Sequence, residues 1–225
     1  MKELVLLLKK DLKIEFRTKE VLILQITMAL LLSTVCAVGI EGAFLSAANL
    51  TSVFPTLLWI VFLFSATLAV SRSYEYEFNN DAIYGLLSTG VSPAAIFLSK
   101  LIGNTVIAII GQFLVLLTLA ALTNVVISPY LLELLIITFL VAIGFAATST
   151  LLIPMTVASR LKSMLLPLIL LPLLFPILFA GLELTANLFD KGTFDLGSIW
   201  VSLALGFDVI YVVLGINLFE KVILE

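Results

Sequence analysis

A chain of 225 residues that is 62% hydrophobic and only 12% charged carries about half the charge of an average soluble domain, which excludes a water-soluble core. Its net charge of −3 gives no support to a nucleic-acid partner. It has no histidine, so the commonest metal ligand and the usual general base near neutral pH are missing; no cofactor is expected in this chain itself. Cys36, the only cysteine, lies in an apolar run and reads as a small buried hydrophobe, which leaves no disulfide and no CxxC motif.

Residues 1–20 mix both charge signs and lead into an apolar run of full span length, unlike a cleaved signal peptide. Leu4, Leu7, Leu8, Leu12 and Phe16 recur at helical spacing among charged positions. This predicts an amphipathic interfacial helix on the inner membrane surface. The first span is predicted at 21–40, with Gln25 as its one strongly polar side chain, and the second at 54–71. The segment 72–100 then breaks the pattern with Arg72, Glu75, Glu77, Asp81 and Lys100.

A third span is predicted at 101–123, closed by a turn at Asn124, Ser128 and Pro129, and a fourth at 134–154. The fifth, 163–182, contains Pro167, Pro172 and Pro176. Each removes a backbone donor and clashes with the preceding turn. A kinked or broken helix packed inside the bundle is expected, where neighbours satisfy the freed carbonyls. A polar loop with Glu183, Asp190, Lys191 and Asp195 follows, and the sixth span, 198–219, is interrupted by Asp208. The reading is an all-α membrane protein, residues 1–225 forming a single transmembrane domain of six spans.

With the N-terminus inside, Lys2, Lys9, Lys10, Lys13, Arg17, Lys19, Arg72, Lys100, Arg160, Lys162 and Lys221 all fall on the cytoplasmic side, and only Lys191 falls outside. The positive-inside rule therefore places both termini in the cytoplasm.

Catalysis within the chain is not expected. The nearest approach to a phosphate loop, Gly85 to Gly90, has Val91 where a lysine must stand. Two intramembrane polar residues invite explanation. An acid at mid-span costs about 3 kcal/mol on insertion scales. Asp208 thus reads either as a polar point in a substrate path or subunit contact, or as an acid hydrogen-bonded to a neighbouring helix. Gln25 reads as interhelical glue. Gly103, Gly111, Ala142, Gly144, Ala146 and Gly206 suit close helix packing, although none forms a GxxxG pair. In the segment 72–100, Tyr74, Tyr76, Phe78, Ile83 and Tyr84 are more apolar surface than a solvated loop needs. They predict a short helix that docks a partner, ending in a turn at Ser92-Pro93.

An interfacial helix, six spans, both termini inside and a coupling helix between spans two and three resemble the ABC-2 type permease subunits of ABC exporters. Within that class three stretches resemble the heme exporter protein B family: LKKDLKIEFRTKE (8–20), PTLLWIVFLFSATLAVSR (55–72) and SRLKSMLLPLILLPLLFPILFAG (159–181). One departure stands out: Asn80-Asp81-Ala82-Ile83-Tyr84 occupies the place of the family's Asp-Gly-Ser-Leu-Glu run. The resemblance implies a multi-pass permease subunit of the bacterial inner membrane, acting with a separate ABC ATPase that binds ATP. It further implies heme as substrate of the complex, other heme-handling membrane proteins, a periplasmic heme chaperone and a homodimer of this subunit. The expected docking residues are Arg72, Glu75, Tyr76, Glu77, Phe78, Asp81 and Ile83. A chain without histidine leans towards release of the loaded chaperone over heme passage, since its path offers no ordinary axial ligand. Alternatives are a permease for another hydrophobic or lipid-like substrate, and a scaffold subunit that transports nothing.

Overall fold

The computed structural model describes residues 2–42, 47–79, 85, 90–157 and 162–224. Among them seven α-helices follow one another: α1 (Lys2–Thr18), α2 (Glu20–Gly42), α3 (Ala47–Asn79), α4 (Pro93–Thr123), α5 (Leu131–Val157), α6 (Lys162–Lys191) and α7 (Ile199–Leu224). A 3-10 turn at Ser128–Tyr130 precedes α5, and no strand occurs among the described residues. The six helices α2 to α7 are each long and apolar enough to cross a membrane. Helices satisfy their backbone groups within the segment, which hydrocarbon demands, and the chain is a multi-pass membrane protein.

The fourth span, α5, is the hub and packs against α3, α4, α6 and α7. Its residues Ala142, Ala146 and Ala147 are fully buried, so neighbouring backbones approach closely, as small residues allow inside a membrane bundle. Between them, aromatic side chains fill the core: Trp59, Phe62 and Phe145 form successive edge-to-face pairs at 5.7 and 5.3 Å. Gly181 leaves the space that Trp59 and Val141 occupy, and Gly215 does the same for Phe97. Polar cross-links join the helices at three levels. Trp59 Nε1 donates to Thr185 Oγ1 at 3.1 Å, Asn104 Nδ2 to Thr150 Oγ1 at 2.9 Å, and the Ser33 and Thr118 hydroxyls lie 3.2 Å apart. Such bonds contribute on average about 0.6 kcal/mol each.

Two local signals bound α4. At its start Ser92 caps α4, its Oγ accepting from the Ala95 N–H at 3.3 Å, with Pro93 in the first turn. Asn124 closes α4 in the left-handed conformation at φ 56°, which asparagine tolerates well.

The fifth span needs more correction. α6 is one unbroken helix through Pro167, Pro172 and Pro176, and it continues to Lys191, so Glu183, Asp190 and Lys191 are helical and not in a loop. The helix is not interior on all sides, because Leu171, Leu173, Phe175 and Phe179 face outwards. α7 adds a tie in this stretch: the Tyr211 hydroxyl donates to the Leu173 carbonyl at 2.6 Å, one residue past the Pro172 carbonyl that Pro176 leaves without its helical donor.

The N-terminal stripe also finds another partner. Leu7 is buried, Leu4, Leu8 and Leu12 are half-buried, and α1 packs against the start of α4, with Leu8 over Gly103. The apolar face predicted to meet lipid therefore covers the protein, while Val5 and Leu6 stand exposed. Between α1 and α2 the chain turns on a single residue, Lys19, held at φ 54°. A lysine pays for this left-handed conformation with a Cβ clash that glycine avoids. Lys19→Gly is expected to raise stability by up to about 1 kcal/mol, read as a higher thermal midpoint of the purified protein. A lower midpoint would show that the side chain itself holds the elbow.

Candidate functional site

The elbow between α1 and α2 meets the two ends of the segment 72–100. There the last turns of α1, the first of α2, the end of α3 and the start of α4 enclose a cavity of about 110 Å³, lined among others by Asp11, Glu15, Arg72, Lys100 and Asn104. Each end of the segment is tied to the elbow by an ion pair. Arg72 Nε lies 2.8 Å from Glu20 Oε1, both side chains about half exposed. Lys100 Nζ lies 3.0 Å from Asp11 Oδ2, with Lys100 only 7% exposed. Asp11 also pairs with Lys10 at 3.1 Å.

Burial ranks the two. An exposed pair contributes about 0–1 kcal/mol, whereas removing one partner of a buried pair costs about 3–5 kcal/mol because the other charge is stranded. Lys100 and Asp11 therefore form the stronger tie. Glu15 adds a backbone link: its Oε1 accepts the Leu22 N–H at 3.1 Å, satisfying an orphan donor of the first turn of α2. Burial pushes the Glu15 carboxyl above the usual carboxylate range, while the N–H groups of Leu22 and Val21 pull it back.

The sequence singled out Arg72 and passed over Asp11 and Glu20. A signal existed for Asp11: it lies on the same helical face as Leu4, Leu7 and Leu8, and an acid on an apolar face needs a buried partner. Of the expected docking residues, Glu75, Tyr76, Glu77 and Phe78 stand on the last turns of α3, with side chains outside the described residues. Asp81, Ile83 and Tyr84 lie outside the described residues altogether. Tyr74, read as docking surface, is instead buried in the core.

Deeper in the bundle, both predicted polar residues sit over a glycine of a neighbouring helix. Asp208 on α7 is 5% exposed, and its Oδ1 occupies the space that a Cβ on Gly144 of α5 would need, beside Ile177 of α6. Neither carboxylate oxygen has a partner among the described residues. Gln25 is fully buried against Gly111 of α4. Its amide also has no partner among the described residues. Gln112, next to Gly111 and equally buried, was not singled out from sequence. Gly206, by contrast, has nothing within 4 Å and takes no part in close packing. Cys36 is half-buried.

No group of three or more metal-ligating side chains occurs among the described residues. No curated protein and no solved structure matches the chain. One protein-family model does, described as CcmB protein, and it matches residues 2–220. The match spans the interfacial helix, all six spans and the elbow, and with it the chain belongs to the CcmB family, the heme exporter protein B family whose motifs it carries.

Proposed function

We propose that this chain is the membrane-spanning permease subunit of an ABC transporter complex that handles heme in cytochrome c maturation. The observation that carries the reading is the family match along residues 2–220 on a bundle of six apolar spans. The chain lacks a phosphate-binding loop, so ATP is hydrolysed by a separate subunit and used here through mechanical contact. The distribution of lysine and arginine puts both termini, and the segment 72–100 with them, in the cytoplasm, where an ATPase can reach them.

In this reading residues 72–93 seat in a groove of the ATPase, with Tyr76, Phe78 and Ile83 as apolar anchors and Glu75, Glu77 and Asp81 at the rim. The two ion pairs at the elbow suit such coupling, because they join both ends of the docking segment to the elbow. A push on the segment then moves α1, α2 and α4 as a unit. Two copies of the subunit complete the transmembrane part. The histidine-free chain favours ATP-driven release of the loaded heme chaperone over passage of heme through these spans.

The test is alanine at Phe78 and Ile83. Buried interface anchors typically cost more than about 1–2 kcal/mol when truncated, and rim charges less. The double variant is expected to insert normally, lose the co-purifying ATPase and stop cytochrome c maturation, while alanine at Glu75 has a small, salt-dependent effect. Normal assembly of the anchor variant, with loss of ATPase binding on changing Arg160 and Lys162, would move the docking site to that turn.

A further inference from the structure

The end of α6, the loop 192–198 and the start of α7 enclose a cavity of about 400 Å³, walled by Asn187, Lys191, Thr193, Asp195, Ser198 and Trp200. That volume is within the range of small-molecule sites. The charge count places this end of the bundle outside, where Lys191 is the single cation among the acids Glu41, Glu133, Glu183, Asp190 and Asp195. Lys191 is exposed and in no ion pair among the described residues. Its acidic neighbour on the cavity wall, Asp195, is already engaged through Oδ1 by the Gly197 N–H at 2.9 Å.

An aromatic ladder leads into the cavity from the membrane-facing side. Trp200 packs edge-on against Phe179 at 5.3 Å and 76°, and Phe179 stacks on Phe175 at 5.5 Å and 17°. Phe175 is 62% exposed and Phe179 37%. A tryptophan at the membrane surface is ordinary. The two phenylalanines are different, because they sit on successive turns of α6 below it and leave near-parallel ring faces open to lipid. At the top of this strip Trp200 and Lys191 share the wall of the cavity.

We propose that this strip and cavity form a binding site for an amphipathic molecule with a flat apolar ring system and carboxylate groups. The ring lies along Phe175, Phe179 and Trp200 by offset and edge contacts. A carboxylate pairs with Lys191 Nζ, with the Trp200 indole and the Thr193 hydroxyl as further donors. A single cation on an otherwise acidic face fixes which end of the molecule points outwards. The identity of the ring as a porphyrin rests on the heme-handling reading above. In that setting the site holds the substrate by its carboxylate edge at the outer surface and needs no axial ligand, which suits a chain without histidine.

The test uses the purified full chain in lipid nanodiscs, titrated with metal-free protoporphyrin and with its dimethyl ester, reading quenching of Trp200 emission. The chain has only two tryptophans, so Trp200→Phe isolates the contribution of Trp59. The free acid is expected to quench saturably and the ester not. Lys191→Ala should weaken binding about tenfold or more, the loss expected for one charge-assisted hydrogen bond, while Lys191→Arg stays within about threefold of wild type. Equal quenching by acid and ester, or binding unchanged in Lys191→Ala, overturns the site. So does a shift from dimer to monomer in Phe175→Ala/Phe179→Ala with porphyrin binding intact, which assigns the strip to a second copy. Complementation of cytochrome c maturation, run in parallel, separates the two ideas. A chain that complements but does not bind sinks the site and leaves the heme-handling reading standing. One that binds in the carboxylate-dependent way but does not complement supports the site and sinks that reading.

Discussion

Replacing Asp11 with alanine is expected to release the N-terminal helix from the bundle, with the largest effect of any single change at the elbow. Lys100 is almost fully buried and its ammonium lies 3.0 Å from the Asp11 carboxylate. Without that acid the buried ammonium loses its ion-pair partner on α1, and breaking a buried pair costs up to about 3–5 kcal/mol. Part of the cost is avoided if α1 lifts away and water reaches Lys100, so the loss will appear as local undocking and not as global unfolding. Faster amide exchange across residues 4–16, with α5 and α7 unchanged, is the signature. The double variant Asp11→Leu/Lys100→Met removes both charges and keeps apolar volume, and should recover most of the protection. Glu20→Ala breaks only the exposed pair with Arg72 and should cost under about 1 kcal/mol. Under the proposed function, Asp11→Ala should leave ATP hydrolysis running while cytochrome c maturation falls, because the segment proposed to dock the ATPase loses its tie to α1. Unchanged exchange in α1 would show that the leucine face alone holds the helix and that the ion pair is incidental.

What the sequence made legible follows from which forces are local. A run of twenty apolar residues demands a span whatever surrounds it, and the six spans were readable for that reason. Their ends were less so. Hydropathy marks where apolar content stops, whereas a helix continues as long as its backbone bonds can form, so α6 carries Glu183, Asp190 and Lys191 past the end predicted for it. The prolines misled in the same way: each weakens its own turn, yet α6 runs on through all three while packed against α5 and α7, and no local rule contains those neighbours. The periodicity of α1 showed an apolar face without showing what the face covers. The ties at the elbow were hidden altogether, since Asp11 finds Lys100 and Glu20 finds Arg72 only once α1 is folded back onto α4 and α2 lies along α3. Among the glycines, size alone did not separate Gly144, which receives Asp208, from Gly206, which receives nothing.

The unpartnered acid on α7 leads to the other large expected effect. A carboxyl group in mid-span with no hydrogen-bond partner costs about 3 kcal/mol on insertion scales, and burying an unsatisfied polar group costs about 1–3 kcal/mol on mutational scales. Asp208→Ala should therefore make the chain more stable, by about 1–3 kcal/mol, seen as a higher thermal midpoint in detergent. Gly144→Ala should do the opposite. Its new Cβ falls on Asp208 Oδ1 and on the Ile177 side chain, an overpacking that costs about 1–3 kcal/mol. Combined, the two changes should not add, because truncating Asp208 empties the space the alanine needs; a coupling of about 1 kcal/mol or more between them is expected. The decisive reading is activity. An acid kept at that cost where alanine is better tolerated serves something other than stability, so under the proposed function Asp208→Ala should assemble normally and fail in cytochrome c maturation. Asp208→Asn, which keeps shape and polarity without the charge, then separates the two remaining roles: activity retained means that a polar knob over Gly144 suffices, and activity lost means that the ionisable group itself is used. A less stable Asp208→Ala chain would instead make the acid part of the structural framework, held by a partner that its surroundings in α5 and α6 do not supply.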